Sequence, residues 1–288
     1  MTNIKILMFK SGDFPDGLRQ IPNPPKLLYH AGASLNDLLK RPSVAIVGSR
    51  NISVYGQQVT AQLAGQLAEQ GIVVISGLAI GVDCVAHRAA LDAGGLAIAV
   101  LPSPLDAIAP SRNRRLGQDI INKGGALVTE YESGVHPVKQ YFIARNRLVS
   151  GLADALIITE AAEKSGSLHT ARFALEQGKT VMAVPGNITN IGSVGTNNLF
   201  KSGATPVTSY LDVLHALGLP SHQTAAHAVH GRNAHEQTVL DLLLQGINDG
   251  ASLLQQSRLS ISEFNQVLTM LEIGGKIRSL GANNWSVY

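Results

Sequence analysis

Between Ser43 and Gly186 six short apolar runs recur: "VAIVG", "IVVISG", "LAIAVLP", "ALVTE", "ALIITEA" and "TVMAVPG". Helix-length segments separate them. The first, "YGQQVTAQLAGQLAEQG", sets Val59, Leu63 and Leu67 at helical spacing and stops at Gly71. Runs that are apolar at nearly every position belong to strands covered on both faces, as in the parallel sheets of α/β proteins. Right-handed crossovers then place helices on both sides. The predicted fold is α/β with a doubly wound parallel sheet over residues 43–218.

The flanks read differently. Residues 1–42 are proline-rich ("FPDGLRQIPNPPKLLYHAG") and predict an irregular lead-in packed on the main domain. Residues 219–233 ("LPSHQTAAHAVHGRN") are small and polar without a period, which predicts a linker. Residues 234–288 predict three helices and a terminal hairpin, a small winged-helix domain. The 288 residues suffice for one large and one small domain.

Net charge is +3, unevenly spread. Residues 234–288 hold Arg258, Lys276 and Arg278 against Glu236, Asp241, Asp249, Glu263 and Glu272. A polyanion is therefore expected on the first module rather than the second. The lone cysteine, Cys84, leaves no internal disulfide. No signal peptide or membrane-length apolar stretch is evident, so a cytoplasmic protein is expected. His222, His227, His230 and His235 cluster without metal-site spacing, and no metal or other cofactor is expected.

In an open parallel sheet, ligands gather beyond the carboxyl ends of the strands. Four loops there carry chemistry. Gly48-Ser49-Arg50 precedes a helix start whose N–H groups can hold an anion, with Arg50 adding a bidentate contact; a local carboxylate is the alternative partner for Arg50. Gly77 lies in the glycine-bearing loop Ser76–Gly81, which permits close approach of a ligand. Downstream, Asp83 and His87 share a helix face; a catalytic pair is one reading, and the preferred one is a capping Asp83 with an orienting hydrogen bond to His87. "KQYFIARNR" packs cations and aromatics together, with Lys139 and Phe142 on one face, as in proteins that stack bases beside a cation-tracked backbone. Arg145 and Arg147 point different ways, so one of them ties the loop to the sheet; Arg145 is assigned to the ligand contacts. The alternative buries Tyr141 and Phe142 in the core. Lys164 and Ser165-Gly166-Ser167 form a possible phosphate nest, or else a plain helix start.

Taken together, "VAIVGSR", "ISGLAIGVDCVAHRAAL", "TEY", "FIARNRLVSGLADALIITEA", "KSGSLHTARFALEQGKTVMAVPGNI" and "SVGTNNLFKSGATPV" resemble the DNA-processing protein A family, DprA or Smf. The resemblance covers residues 14–210 in order. It implies an extended Rossmann-like domain, a homodimer, and a recombination mediator that binds and protects incoming single-stranded DNA and loads the RecA recombinase in natural transformation. It also implies roles for Arg50, Lys139, Phe142, Asn146 and Ser165-Gly166-Ser167 in holding that strand, and no enzymatic activity. Two departures stand out: Ile143 follows Phe142 where the family has proline, and the small helical domain that opens longer members has no room here.

Two other functions compete. A related Rossmann-like group cleaves nucleoside monophosphates, but its Pro-Gly-Gly-x-Gly-Thr turn is replaced here by "PGNITNIGSVGTNN". A ligand-sensing transcription factor would bind duplex at a palindrome. A dinucleotide-dependent dehydrogenase is excluded by the missing Gly-x-Gly-x-x-Gly.

Overall fold

A computed structural model describes residues 4–220, 231–281 and 283–287. They fall into two compact units, Met1–Ser221 and His222–Tyr288. In the first, the order is β1 (Ile4–Met8), α1 (Asp16–Arg19), β2 (Leu27–Gly32), α2 (Leu35–Leu38), β3 (Ser43–Val47), α3 (Val54–Glu69), β4 (Val73–Ser76), α4 (Val82–Asp92) and β5 (Ala97–Val100). It continues with α5 (Arg114–Asn122), β6 (Ala126–Thr129), α6 (Lys139–Leu152), β7 (Ala155–Ile158), α7 (Ser167–Glu176), β8 (Thr180–Ala183), α8 (Val194–Lys201), β9 (Thr205–Pro206) and α9 (Tyr210–Ala216).

The strands form one sheet in the order β1-β2-β6-β5-β4-β3-β7-β8-β9. From β6 to β9 every pairing is parallel, and β1 and β2 add to the β6 edge antiparallel. The six predicted strands are all present and mostly buried on both faces. Alternate residues feed opposite cores. Ala45, Val47, Ile75 and Ile158 meet α6 and α7 on one face. Val44, Ile46, Val74 and Ile157 meet α3, α4 and α9 on the other. Burial on both sides explains the unbroken apolar runs.

Residues 1–42 differ from the irregular lead-in expected. They contribute two strands and two short helices, and Phe14, Leu18 and Ile21 join the core beside Leu148 and Leu152 of α6. The strand β1 was hidden because it runs against the usual pattern: Ile4, Ile6 and Met8 are exposed and Leu7 is the buried residue. Close contact between α1 and α6 depends on a glycine pair, since a Cβ on Gly17 would stand 2.8 Å from the Gly151 carbonyl oxygen.

The second unit holds α10 (Ala234–Leu244), α11 (Gly250–Ser257), α12 (Ile261–Ile273) and an antiparallel hairpin of β10 (Ile277–Gly281) and β11 (Asn284–Val287). Its own core gathers Leu240, Leu253, Phe264 and Leu271. Asn233, Asp249 and Ser260 cap the three helix starts with their side chains. The expected linker lies outside the described residues over 221–230, together with His222, His227 and His230. Among the described residues no helix is long and apolar enough to cross a membrane.

Candidate nucleic-acid interface

Strand order reverses at β3. The chain steps from β3 out through β4 and β5 to β6, then returns to place β7 on the other side. Such a switch point opens a crevice at the carboxyl ends of the two central strands. Here the crevice is a cleft of about 1030 Å³. Its walls include all twelve residues named from the sequence: Gly48, Ser49 and Arg50 after β3; Gly77 after β4; Lys139, Phe142, Arg145 and Asn146 on α6; and Lys164, Ser165, Gly166 and Ser167 before α7.

The twelve do not contribute alike. Arg50, Lys139 and Lys164 are exposed at the rim, and none forms an ion pair among the described residues. Lys139 opens α6, and no carboxylate lies in that helix's first turn. The Arg50 guanidinium sits over the half-buried ring of Phe142. Tyr141 is engaged elsewhere, stacked on Tyr131 with ring centroids 4.0 Å apart. Burial pushes the Tyr131 hydroxyl up to about 12, so it stays protonated.

Arg145 departs from its assignment as a ligand contact. It is 4% exposed, and its guanidinium donates to the carbonyl oxygens of Gly77, at 2.5 Å, and Val100. Burial lowers its pKa to about 10, the charge of Arg50 adding to the effect and that of Asp83 opposing it. Of its neighbours, Arg147 makes a two-pronged ion pair with Glu130, at 2.6 and 2.7 Å, and its Nε donates to the Asn23 carbonyl oxygen. Both arginines therefore tie α6 down, where the sequence predicted that only one would.

Gly77 is likewise needed for packing, because a Cβ there would strike the Arg145 guanidinium. The loop after β4 is closed by Asp83, whose carboxylate accepts from Gly77 N at 3.0 Å and Ala79 N at 3.4 Å. Burial raises the Asp83 pKa, with Arg145 pulling the other way. The expected bond from Asp83 to His87 is absent: neither ring nitrogen of the fully buried His87 has a hydrogen-bond partner. Burial drives its pKa down to about 3, a nearby Ser76 backbone group opposing only in part.

The start of α3 also differs from expectation. Its donors already face an anion, the carboxylate of Glu160 just beyond β7. Ser53 N donates to Glu160 Oε1 at 3.1 Å, and the Ser53 hydroxyl donates to the same carboxylate. Glu160 is 4% exposed. The sequence reading had not singled it out; the signal was an acidic residue at the carboxyl end of a buried strand. After β3, the group left for a ligand is thus the Arg50 side chain rather than the helix end. Ser49 is partly engaged too, its hydroxyl donating to Asn51 O at 2.9 Å. Gly48 has no spare room, with Val82 Cγ2 2.6 Å from where a Cβ would stand.

The turn before α7 is the opposite case. The N-cap residue, Gly166, offers no side chain, the Ser165 hydroxyl accepts from Ser167 N at 3.4 Å, and a Cβ on Gly166 would meet nothing within 4 Å. Gly166 therefore answers to neither strain (its φ is −62°) nor packing, and its open face is where backbone can approach a ligand. Ser165 and Ser167 hydroxyls lie 2.8 Å apart, and Asn146 Nδ2 reaches the Gly166 carbonyl oxygen at 3.5 Å. Asn146 thus joins α6 to the turn.

A sequence profile described as DNA recombination-mediator protein A matches residues 5–218. The chain belongs to that family. DNA processing protein DprA of Streptococcus pneumoniae is 43% identical over 201 residues, 70% of either chain. Protein Smf of Escherichia coli is 46% identical over 179 residues, 62% of this chain and 48% of that one. The chain thus matches about half the length of that relative. The X-ray structure of S. pneumoniae DprA superposes with a TM-score of 0.69 at 41% identity, covering 74% of each chain. Helicobacter pylori DNA processing protein A, solved for its single-stranded DNA binding mode, gives a TM-score of 0.67 at 36% identity over 75% of this chain and 96% of that one. The family match thus runs from β1 through α9, nearly all of the described sheet unit, and stops before α10.

Proposed function

We propose that the cleft grips single-stranded DNA without regard to sequence, and that the protein acts in the cytoplasm as a recombination mediator. In this reading it works as a homodimer, shields incoming DNA during natural transformation and hands it to the RecA recombinase, with no catalytic step of its own. Its support is the convergence in one crevice of the Phe142 ring with Arg50, which sits over it, and with Lys139 and Lys164, none of the three cations ion-paired among the described residues. Cations spaced about a flat ring suit a strand whose phosphates are tracked and whose bases stack, and stacking accepts any base. The open turn at Gly166 supplies a place where a phosphate oxygen can come close to the Gly166 N–H and the Ser165 and Ser167 hydroxyls. The second unit, with its three helices and hairpin, is assigned as a winged helix. The H. pylori relative with its reported single-strand binding mode supports the same reading.

The test is a titration of labelled single-stranded and duplex oligonucleotides of scrambled sequence. Single strands of different composition should bind alike and more tightly than duplex. A preference for one palindromic duplex, or release of base from adenosine monophosphate, would replace this reading with one of its competitors. RecA filament formation on strands already covered by a single-strand-binding protein tests the loading step, and no acceleration there would remove it.

A further inference from the structure

A second groove, of about 480 Å³, lies among α3, α4 and the start of α5. Cys84 and Arg88 line it from α4, and Arg112 and Arg115 line it from the other side. Asn113 Nδ2 donates to the Leu78 carbonyl oxygen at 2.8 Å, which fastens the start of α5 to the loop after β4. That same loop gives Gly77 and Ala79 to the main cleft. The two depressions are neighbours along the carboxyl edge of the sheet, with one loop between them.

The charge here is unusual. Arg112 and Arg115, which line the groove, and Arg114, between them in the chain but outside that lining, are exposed and form no ion pair among the described residues. Arg88 is already matched by Asp119 at 3.2 Å, and Asp92 also borders the groove. The first turn of α5 holds no acidic residue and no side chain caps it. A helix start carries partial positive charge and favours anions. Three guanidinium groups at that end repel the dipole and one another, so an anion from outside the chain is what suits them. Several phosphates in a row suit them better than one, because the groups are spread over a turn. The groove floor is partly apolar, with the half-buried Ala61 and Val85 available to the faces of bases.

We infer that Arg112, Arg114 and Arg115 continue the nucleic-acid track: a single strand seated in the main cleft crosses the loop after β4 and lays its next phosphates on these arginines. The inference rests on the reading of the main cleft as a single-strand site. It makes contact length, and hence the shortest strand held at full affinity, a property of two grooves rather than one.

The test compares single strands of about 6 and about 20 nucleotides, since single-strand sites span a handful to some sixteen nucleotides per module. Full-length protein carries Arg112→Gln, Arg114→Gln and Arg115→Gln together, Arg50→Ala alone, or Lys26→Gln with Lys40→Gln as a charge control. All six side chains are exposed, so folding should be kept, as circular dichroism would verify. The triple variant should lose about tenfold or more on the long strand and little on the short one. Its log-log salt slope on the long strand should flatten by about 2, from three lost contacts at about 0.7 each. Arg50→Ala should weaken both lengths. Equal loss on both lengths, no loss on the long strand, loss confined to duplex, or an equal loss from the lysine control would each overturn the track. If instead Arg50→Ala changes neither length, the reading of the main cleft fails, and the extension fails with it.

Discussion

The Arg50 guanidinium carbon lies 5.3 Å from the centroid of the Phe142 ring. A loop residue after β3 and a helix residue of α6, 92 positions apart in sequence, thereby meet across the mouth of the cleft. A cation over a ring is attracted by its quadrupole, by about 0.5–1 kcal/mol at an exposed site. In the proposed reading, this contact holds the group meant for phosphate beside the ring meant for a base before any strand arrives.

Phe142→Ala should therefore cost single-strand binding about 1–3 kcal/mol, the range for one lost base stack. Phe142→Trp should keep most of the affinity, because it retains a ring for both base and guanidinium. Fluorescence anisotropy on one mixed-sequence strand reads both. Equal affinities for Phe142→Ala and wild type would remove the ring from the site.

Arg145 should matter to the fold before it matters to DNA. Arg145→Met strands the buried Asp83 carboxylate and leaves the Gly77 and Val100 carbonyl oxygens without their donor. Removing one partner of a buried charge cluster costs about 3–5 kcal/mol. Chemical denaturation should show a loss of that order, while Arg50→Ala, at the exposed rim, should lose no more than the roughly 1 kcal/mol of its contact with the Phe142 ring.

Two glycines of the same cleft should separate cleanly. Gly77→Ala drives a methyl group into the Arg145 guanidinium, which is tied down and cannot step aside, so stability should fall. Gly166→Ala meets empty space at a helical φ that alanine adopts without strain, so stability should hold or rise by up to about 1 kcal/mol, whereas single-strand affinity should drop. Thermal melts and binding isotherms on the two variants test the pair; unaltered binding by Gly166→Ala would mean that its open face meets no ligand.

His87 sets a pH dependence. Unfolded, it takes up a proton near 6.5; folded, only near 3. Between these values the unfolded chain binds more protons, so this contribution is complete above about pH 6.5 and is lost as pH falls, by up to about 1.4 kcal/mol per unit. Asp83, its folded pKa raised by burial, works in the opposite sense at the acid end. The difference between wild type and His87→Gln isolates the histidine: denaturation midpoints should converge as pH drops from 7 to about 4. A gap that stays constant over that range would contradict the assignment.

The sheet was legible because its strands are buried on both faces, and nothing else produces six short apolar runs at helix-length intervals. The strands β1 and β2 were not, because β1 turns Ile6 outward and proline-rich chain surrounds them both. At the site, the twelve residues named from the sequence line one crevice because strand ends and helix starts fix where loops open. It did not show which of them are already engaged. Arg145 has a conspicuous charge yet spends it on two carbonyl oxygens, and Glu160 reaches the α3 helix start from the far side of β3. Such pairings join residues some 45 to 110 positions apart, and local pattern carries no trace of them. Gly166 was singled out for its neighbours, and only the empty space around it separates its role from that of Gly77.

The most direct test is single-strand affinity measured across a salt series for wild type and Arg50→Ala. The salt slope reports how many phosphates the protein neutralises, at about 0.7 per contact on a single strand. Arg50→Ala should bind more weakly and give a slope shallower by about that amount. Coincident lines, or weaker binding with a parallel slope, would contradict the account of Arg50 as a phosphate contact in a strand-holding cleft.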